Sequence, residues 1–303
     1  MAYTQRARNV SFAIFVLIFG GAIVGVSSIN GRGPMKAVER SNDAPMGKNT
    51  IYFSHDTFKP DHSLFADNMD YYLYRPPPPY APTAKFPLVL VLHDAQGVAP
   101  TAQYLISRQM RQHYPAFVVV PVIAQKDLWA FPGSFVRGVS DKNKRIQDAV
   151  ALVRNLMQEM PVDPARIYVM GCAEGGYGAF GALRYYPDFF AAGVVQSGGW
   201  RAGDAVELVK RPVWMFHGRE DPYYPVTTAR NVARGIHRAG GNVKYFEFPD
   251  MKRDCFDQRL YANAMWAWLF NQYHADKMPP VEVIPEDALI APNLHPDSST
   301  VPQ

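Results

Sequence analysis

The stretch Arg166-Ile167-Tyr168-Val169-Met170-Gly171-Cys172-Ala173-Glu174-Gly175-Gly176-Tyr177-Gly178 decides the fold of this chain. Residues 166–170 are rich in β-branched and aromatic side chains and read as a buried strand. Small residues end that strand at Gly171, and a helix is predicted over residues 177–185. A strand that turns sharply into a helix needs glycine on both sides of the turn, because side chains there would collide with neighbouring strands. Gly171 and Gly175 flank Ala173 in that way.

The pattern continues on either side. Upstream, residues 86–92 and 116–122 are continuous apolar runs, as buried parallel strands require. Asp141 is placed to cap a helix over residues 142–160, with Ile146, Ala149, Val150, Val153, Leu156 and Met157 on one face; Pro161 and Pro164 stop it. Downstream, residues 191–195, 212–216 and 243–248 read as strands, and residues 226–239 and 258–273 as helices. Residues 69–75 alternate as a strand should, and Pro76, Pro77, Pro78 and Pro79 break it with a rigid loop. Strands alternating with helices imply an α/β fold: a mainly parallel central sheet with helices on both faces. One domain over residues 50–275 accounts for the whole pattern.

From Tyr71 to Tyr273 the chain resembles the α/β-hydrolase superfamily, and most of all its secreted esterase branch of feruloyl-esterase-like, polyhydroxybutyrate-depolymerase-like and prolyl-oligopeptidase-like domains. The resemblance rests on four segments in the right order. Lys85-Phe86-Pro87-Leu88-Val89-Leu90-Val91-Leu92-His93 is similar to the strand that leads to the oxyanion loop. Val162-Asp163-Pro164-Ala165-Arg166 leads into the turn at Ala173, which resembles a nucleophile elbow. Tyr186-Pro187-Asp188-Phe189-Phe190-Ala191-Ala192 follows the elbow helix, and Arg211-Pro212-Val213-Trp214-Met215-Phe216-His217-Gly218-Arg219-Glu220-Asp221-Pro222 carries the catalytic acid of that superfamily.

The resemblance assigns catalytic positions, and several hold the wrong chemistry. The nucleophile position is Ala173, whose methyl group has no lone pair. The acid position is Asp221, which is intact, and His217 just before it matches a structural histidine. The histidine position falls in Pro249-Asp250-Met251-Lys252-Arg253-Asp254-Cys255-Phe256 and holds Arg253, a permanent cation that cannot accept a proton. The oxyanion positions are His93, Asp94 and Glu174; a carboxylate at Asp94 would repel a developing oxyanion. Three departures together point to a natural loss of chemistry. An ion pair between Arg253 and Asp221 is the expected substitute for the lost His–Asp contact.

Cys172 and Cys255 flank the nucleophile and histidine positions, which meet in this fold. Two buried free thiols are the expected state, since free cysteine is commonly buried. A disulfide across the site is the alternative for an exported domain and needs α-carbons within about 7 Å. Cys172 as a relocated nucleophile is disfavoured, because the residue before the elbow position points away from the pocket.

Outside the hydrolase-like region, no charged residue occurs between Arg8 and Arg32. Residues 11–29 are long enough for a single membrane span and are expected to be a retained anchor, with residues 1–10 as its flank. A cleaved signal peptide ending near Val26-Ser27-Ser28 and a buried helix are the alternatives. Gly21 and Gly25 lie on one face of that span and suit contact with another membrane helix. The flanking charges give weak asymmetry; the resemblance to exported proteins favours a cytoplasmic N-terminus and an extracytoplasmic domain. Residues 30–49 read as a linker. Residues 276–303 form a proline-rich tail, expected to be disordered or extended along a partner.

The net charge of +4 is diffuse, which argues against nucleic acid, and neither a cofactor motif nor metal-ligand spacing is present. The expectation is a catalytically inactive hydrolase-like subunit of a membrane complex, partnered through its anchor and its surface. A ligand-binding sensor that keeps the pocket, and an esterase that is inactivated or uses an unrecognised arrangement, are the alternatives.

Overall fold

A computed structural model describes residues 52–60, 68–95, 97, 99–124, 127–130 and 144–274. Its centre is one eight-stranded sheet. The strands are Ser54–Phe58 (β1), Met69–Tyr74 (β2), Phe86–Leu92 (β3), Phe117–Pro121 (β4), Val162–Cys172 (β5), Ala192–Gln196 (β6), Val213–Gly218 (β7) and Val243–Phe248 (β8). They lie in the order β1-β2-β4-β3-β5-β6-β7-β8. β2 runs antiparallel to both β1 and β4, and every pairing from β4 to β8 is parallel.

The helices are Pro100–Leu105 (α1), Arg108–His113 (α2), Lys144–Glu159 (α3), Glu174–Tyr185 (α4), Val226–Arg238 (α5) and Asn263–Phe270 (α6). They divide the core in two, because alternate residues of a strand face opposite ways. Leu88, Leu90 and Leu92 of β3 pack with Ile146, Val150 and Val153 of α3, Phe180 of α4 and Ile236 of α5. Val89 and Val91 pack on the other side with Ala102 and Leu105 of α1, Met110 of α2 and Met265, Trp266 and Leu269 of α6. Cover on both faces is the reason β3 reads as an unbroken apolar run. Each such side chain contributes roughly 1.5–3 kcal/mol by leaving water.

The departures from expectation are local. β1 is mostly exposed and has no apolar alternation; pairing with β2 and a hydrogen bond from Thr57 Oγ1 to Asp70 Oδ1 at 2.7 Å hold it. β5 starts at Val162, four residues earlier than expected, and α4 starts at Glu174. The helix predicted over residues 258–273 divides into a 3-10 turn, Gln258–Tyr261, and α6. Ala262 between them is extended (φ −58°, ψ 140°), so the helical hydrogen-bond ladder stops there. Asp141, the span at 11–29 with Gly21 and Gly25, the linker and the tail lie outside the described residues. Among the described residues no helix is long and apolar enough to cross a membrane.

Candidate functional site

The site forms where β5 gives way to α4. β5 ends at Cys172, α4 begins at Glu174, and Ala173 between them has φ 55° and ψ −118°. Residues with side chains rarely adopt that backbone, and holding one there costs about 1–3 kcal/mol. The surroundings enforce it: the Ala173 N–H donates to Gln196 O at 2.9 Å, and Ala173 O accepts from the Gly176 N–H at 2.9 Å. A Cβ on Gly171 would lie 2.1 Å from Gly175 O, and one on Gly175 would lie 2.0 Å from Leu92 O. The turn closes only with glycine at both places.

Ala173 is fully buried. Cys172, Cys255 and the ring of Tyr224 pack with it. Cys172 and Cys255 are joined by a disulfide with their α-carbons 6.0 Å apart, which corrects the expected pair of free thiols. The sheet brings the end of β5 beside the loop after β8, and no thiol remains free there.

Asp221 lies in the loop after β7. Its Oδ1 accepts from the N–H groups of Tyr223 and Tyr224, both at 2.9 Å. Its Oδ2 is 3.7 Å from His217 Nε2, which instead donates to Tyr224 O at 2.9 Å. The expected Arg253–Asp221 ion pair is not formed. The Arg253 guanidinium lies 4.2 Å from the centre of the Tyr223 ring and 5.9 Å from that of Tyr224. One oxygen of the aspartate is held by its own turn and the side chain is buried, while two aromatic faces offer the cation a separate seat.

At the oxyanion positions, His93 is structural: its Nδ1–H donates to Asp94 O at 2.6 Å and its Nε2 accepts from the Ile123 N–H at 3.1 Å. The Glu174 carboxylate occupies the loop donor. Glu174 Oε2 accepts from the Ala95 N–H at 2.9 Å, and Oε1 accepts from the Tyr224 hydroxyl. A backbone N–H in this loop is one of the groups that binds a developing oxyanion in the elbow arrangement. Burial, then the Glu174 carboxylate, pushes the Tyr224 phenol far up. Burial, then Asp221 and Glu174, pushes Tyr177 up to about 12. Both phenols are therefore neutral donors at ordinary pH. Among the described residues no His/Cys/Asp/Glu group could hold a metal ion.

A family model for dienelactone hydrolases matches residues 69–258, a span that includes the elbow, Asp221 and Arg253. The chain belongs to the dienelactone hydrolase family. Solved structures share the fold of that family with it. A thermostable esterase is 24% identical with a TM-score of 0.65, over 74% of this chain and 64% of its own. An acylaminoacyl peptidase of Pyrococcus horikoshii is 15% identical with a TM-score of 0.55, over 72% of this chain and 41% of its own. A ferulic acid esterase is 12% identical with a TM-score of 0.52, over 72% of this chain and 97% of its own. The chain thus spans less than two thirds of the esterase and less than half of the peptidase. Among curated proteins, none matches its sequence.

In the structure Cys172 and Cys255 pack with Ala173, and Glu174 and Asp221 meet the same surroundings through Tyr224. The fold adds Tyr177 and Tyr224, whose rings lie 5.5 Å apart beside the elbow. Tyr224 follows Asp221 by three residues, so a tyrosine placed just after the acid was the available signal. Nothing in the sequence marks that its hydroxyl reaches Glu174.

Proposed function

We propose that this chain is a catalytically inactive member of its family that serves as an accessory subunit of a membrane-anchored assembly. The observation that carries the proposal is the Glu174 carboxylate seated on the Ala95 N–H beside a buried Ala173. Acyl transfer needs a nucleophile, a base to activate it and open donors for the oxyanion. Here the nucleophile position is a methyl group, Arg253 replaces the base and a fixed negative charge takes the loop donor. The hydroxyls of Tyr177 and Tyr224 beside the elbow belong to phenols whose protons are held more tightly than usual.

The anchor-like span at residues 11–29 supports attachment to a membrane with the domain outside the cytoplasm. The Cys172–Cys255 disulfide supports the same side, because such bonds persist in oxidising compartments. A buried Ala173 gives no support to the sensor alternative, which needs an open cleft above it.

The test has two parts. Purified full-length protein is expected to give no ester turnover above blank and no labelling by a fluorophosphonate. Solubilised in mild detergent, it is expected to co-purify with a membrane partner. Turnover or labelling would restore the esterase alternative, and recovery as a lone monomer would remove the subunit role.

A further inference from the structure

Among the described residues, β8 forms one margin of the sheet and pairs with β7 alone. The carbonyls of Asn242 and Phe248 accept from the N–H groups of Val213 and Arg219 at 3.0 and 2.9 Å. Even-numbered residues of β8 therefore face β7, and Val243, Tyr245 and Glu247 direct their peptide groups outward. Among the described residues, no hydrogen bond engages those outward groups. An open strand edge is a template for another strand.

The two faces beside this edge differ in chemistry. On one, Val243, Tyr245 and Glu247 line a groove of about 390 Å³ with Arg230, Ala233, Arg234 and His237 of α5. The helix Val226–Arg238 contains no acidic residue. Glu247 is already committed: Arg230 binds both its oxygens at 2.6 Å and Arg219 reaches it at 2.8 Å. Arg234 has no hydrogen bond or ion pair among the described residues, so the groove keeps a surplus of positive charge. On the other face, Phe246 is 45% exposed and stacks on Trp214 at 5.1 Å between ring centres.

We propose that the β8 edge docks an extended segment of a partner polypeptide in which acidic residues alternate with apolar ones. Its backbone pairs with the outward groups of Val243, Tyr245 and Glu247. Its acidic side chains fall on the Arg234 side and its apolar side chains on the Phe246 side, because side chains of an added strand alternate between faces. The proposal rests on the accessory-subunit role and supplies the chemistry of the partner.

The experiment uses the full-length protein in mild detergent and fluorescent peptides alternating Glu with Val or Lys with Val, read by anisotropy. The Glu–Val peptide is expected to bind, with the Lys–Val peptide weaker by at least about tenfold. Arg234→Glu, at an exposed and unpaired position, is expected to lower the affinity by a similar factor. Tyr245→Pro removes an outward donor and is expected to abolish binding, whereas Tyr245→Leu, which loses the same ring and the hydroxyl contact to Glu247 but keeps the N–H, is expected to bind. Equal binding of both peptides, indifference to Arg234→Glu, or binding to anionic vesicles in place of the peptide would overturn the proposal. So would binding that appears only after residues 276–303 are removed, which would give the edge to the chain's own tail. Failure of the peptide to bind leaves the inactive site standing, whereas fluorophosphonate labelling would remove the inactive site without touching the peptide result.

Discussion

Ala173 sits on the backbone of a nucleophile elbow with a methyl side chain. Its φ of 55° is held by hydrogen bonds from both sides, so a side-chain change there alters the reactive group and leaves the turn in place. Ala173→Ser therefore tests whether the hydroxyl is all that is missing. The variant is expected to fold as the parent does and to show no ester turnover and no fluorophosphonate labelling, because Glu174 still occupies the Ala95 N–H and Arg253 stands at the position the resemblance assigns to the base. Labelling of the introduced hydroxyl would reveal a base that the geometry does not show. The identities of the residues at 173 and 221 were legible because each sits in a tightly spaced motif. The partner of Arg253 was not. A guanidinium accepts carboxylates and aromatic faces alike, and which one it meets depends on loop paths that spacing does not encode.

At the scale of elements, the elbow glycines and the disulfide hold the strand–turn–helix unit. Gly175→Ala would place a methyl group against the backbone of Leu92, which cannot yield as a flexible side chain could. A loss of at least about 2 kcal/mol is expected in urea unfolding. The Cys172–Cys255 bond closes a span of 83 residues between the elbow and the loop after β8. Reduction, or the paired Cys172→Ala and Cys255→Ala change, is expected to cost about 2–4 kcal/mol. A thiol count with and without reductant checks the bond, and thermal unfolding under the same conditions checks the cost. Unchanged stability would mean that packing alone holds the loop. Both cysteines pack with Ala173 in the structure. The sequence favoured free thiols because burial is the common state of cysteine, and only the meeting of the two loops showed that the sulfurs face each other. The break between Gln258–Tyr261 and α6 was hidden for a related reason: its residues suit a helix, and the extended Ala262 lies between two pairs of buried side chains, Leu260 and Tyr261 before it and Met265 and Trp266 after it.

Across the whole molecule, the sheet ends in a margin whose charge is set by contacts between β8 and its neighbours. Arg230 and Arg219 hold the Glu247 carboxyl down to about 2, below its ordinary value of 4.5. A depressed carboxylate contributes stability that is present above pH 4.5 and is lost as pH falls toward 2. Glu247→Gln is expected to remove that part of the acid dependence, read as urea midpoints of the two proteins converging below pH 4.5. Midpoints that stay parallel across this range would show that the arginines do not act on Glu247 in solution. The sequence by itself determined the mainly parallel sheet and the order of its elements along the chain, because hydrophobic period and glycine spacing are local properties; positions 173, 221 and 253 were marked out by the family resemblance. Tertiary structure decided what those residues touch. It put Arg253 on Tyr223, Glu174 on the Ala95 N–H and the two cysteines in one bond, since each contact joins segments distant in the chain. The elbow is thus legible in the sequence as a turn, and its closure by Glu174, Tyr224 and a disulfide is a property of the assembled fold.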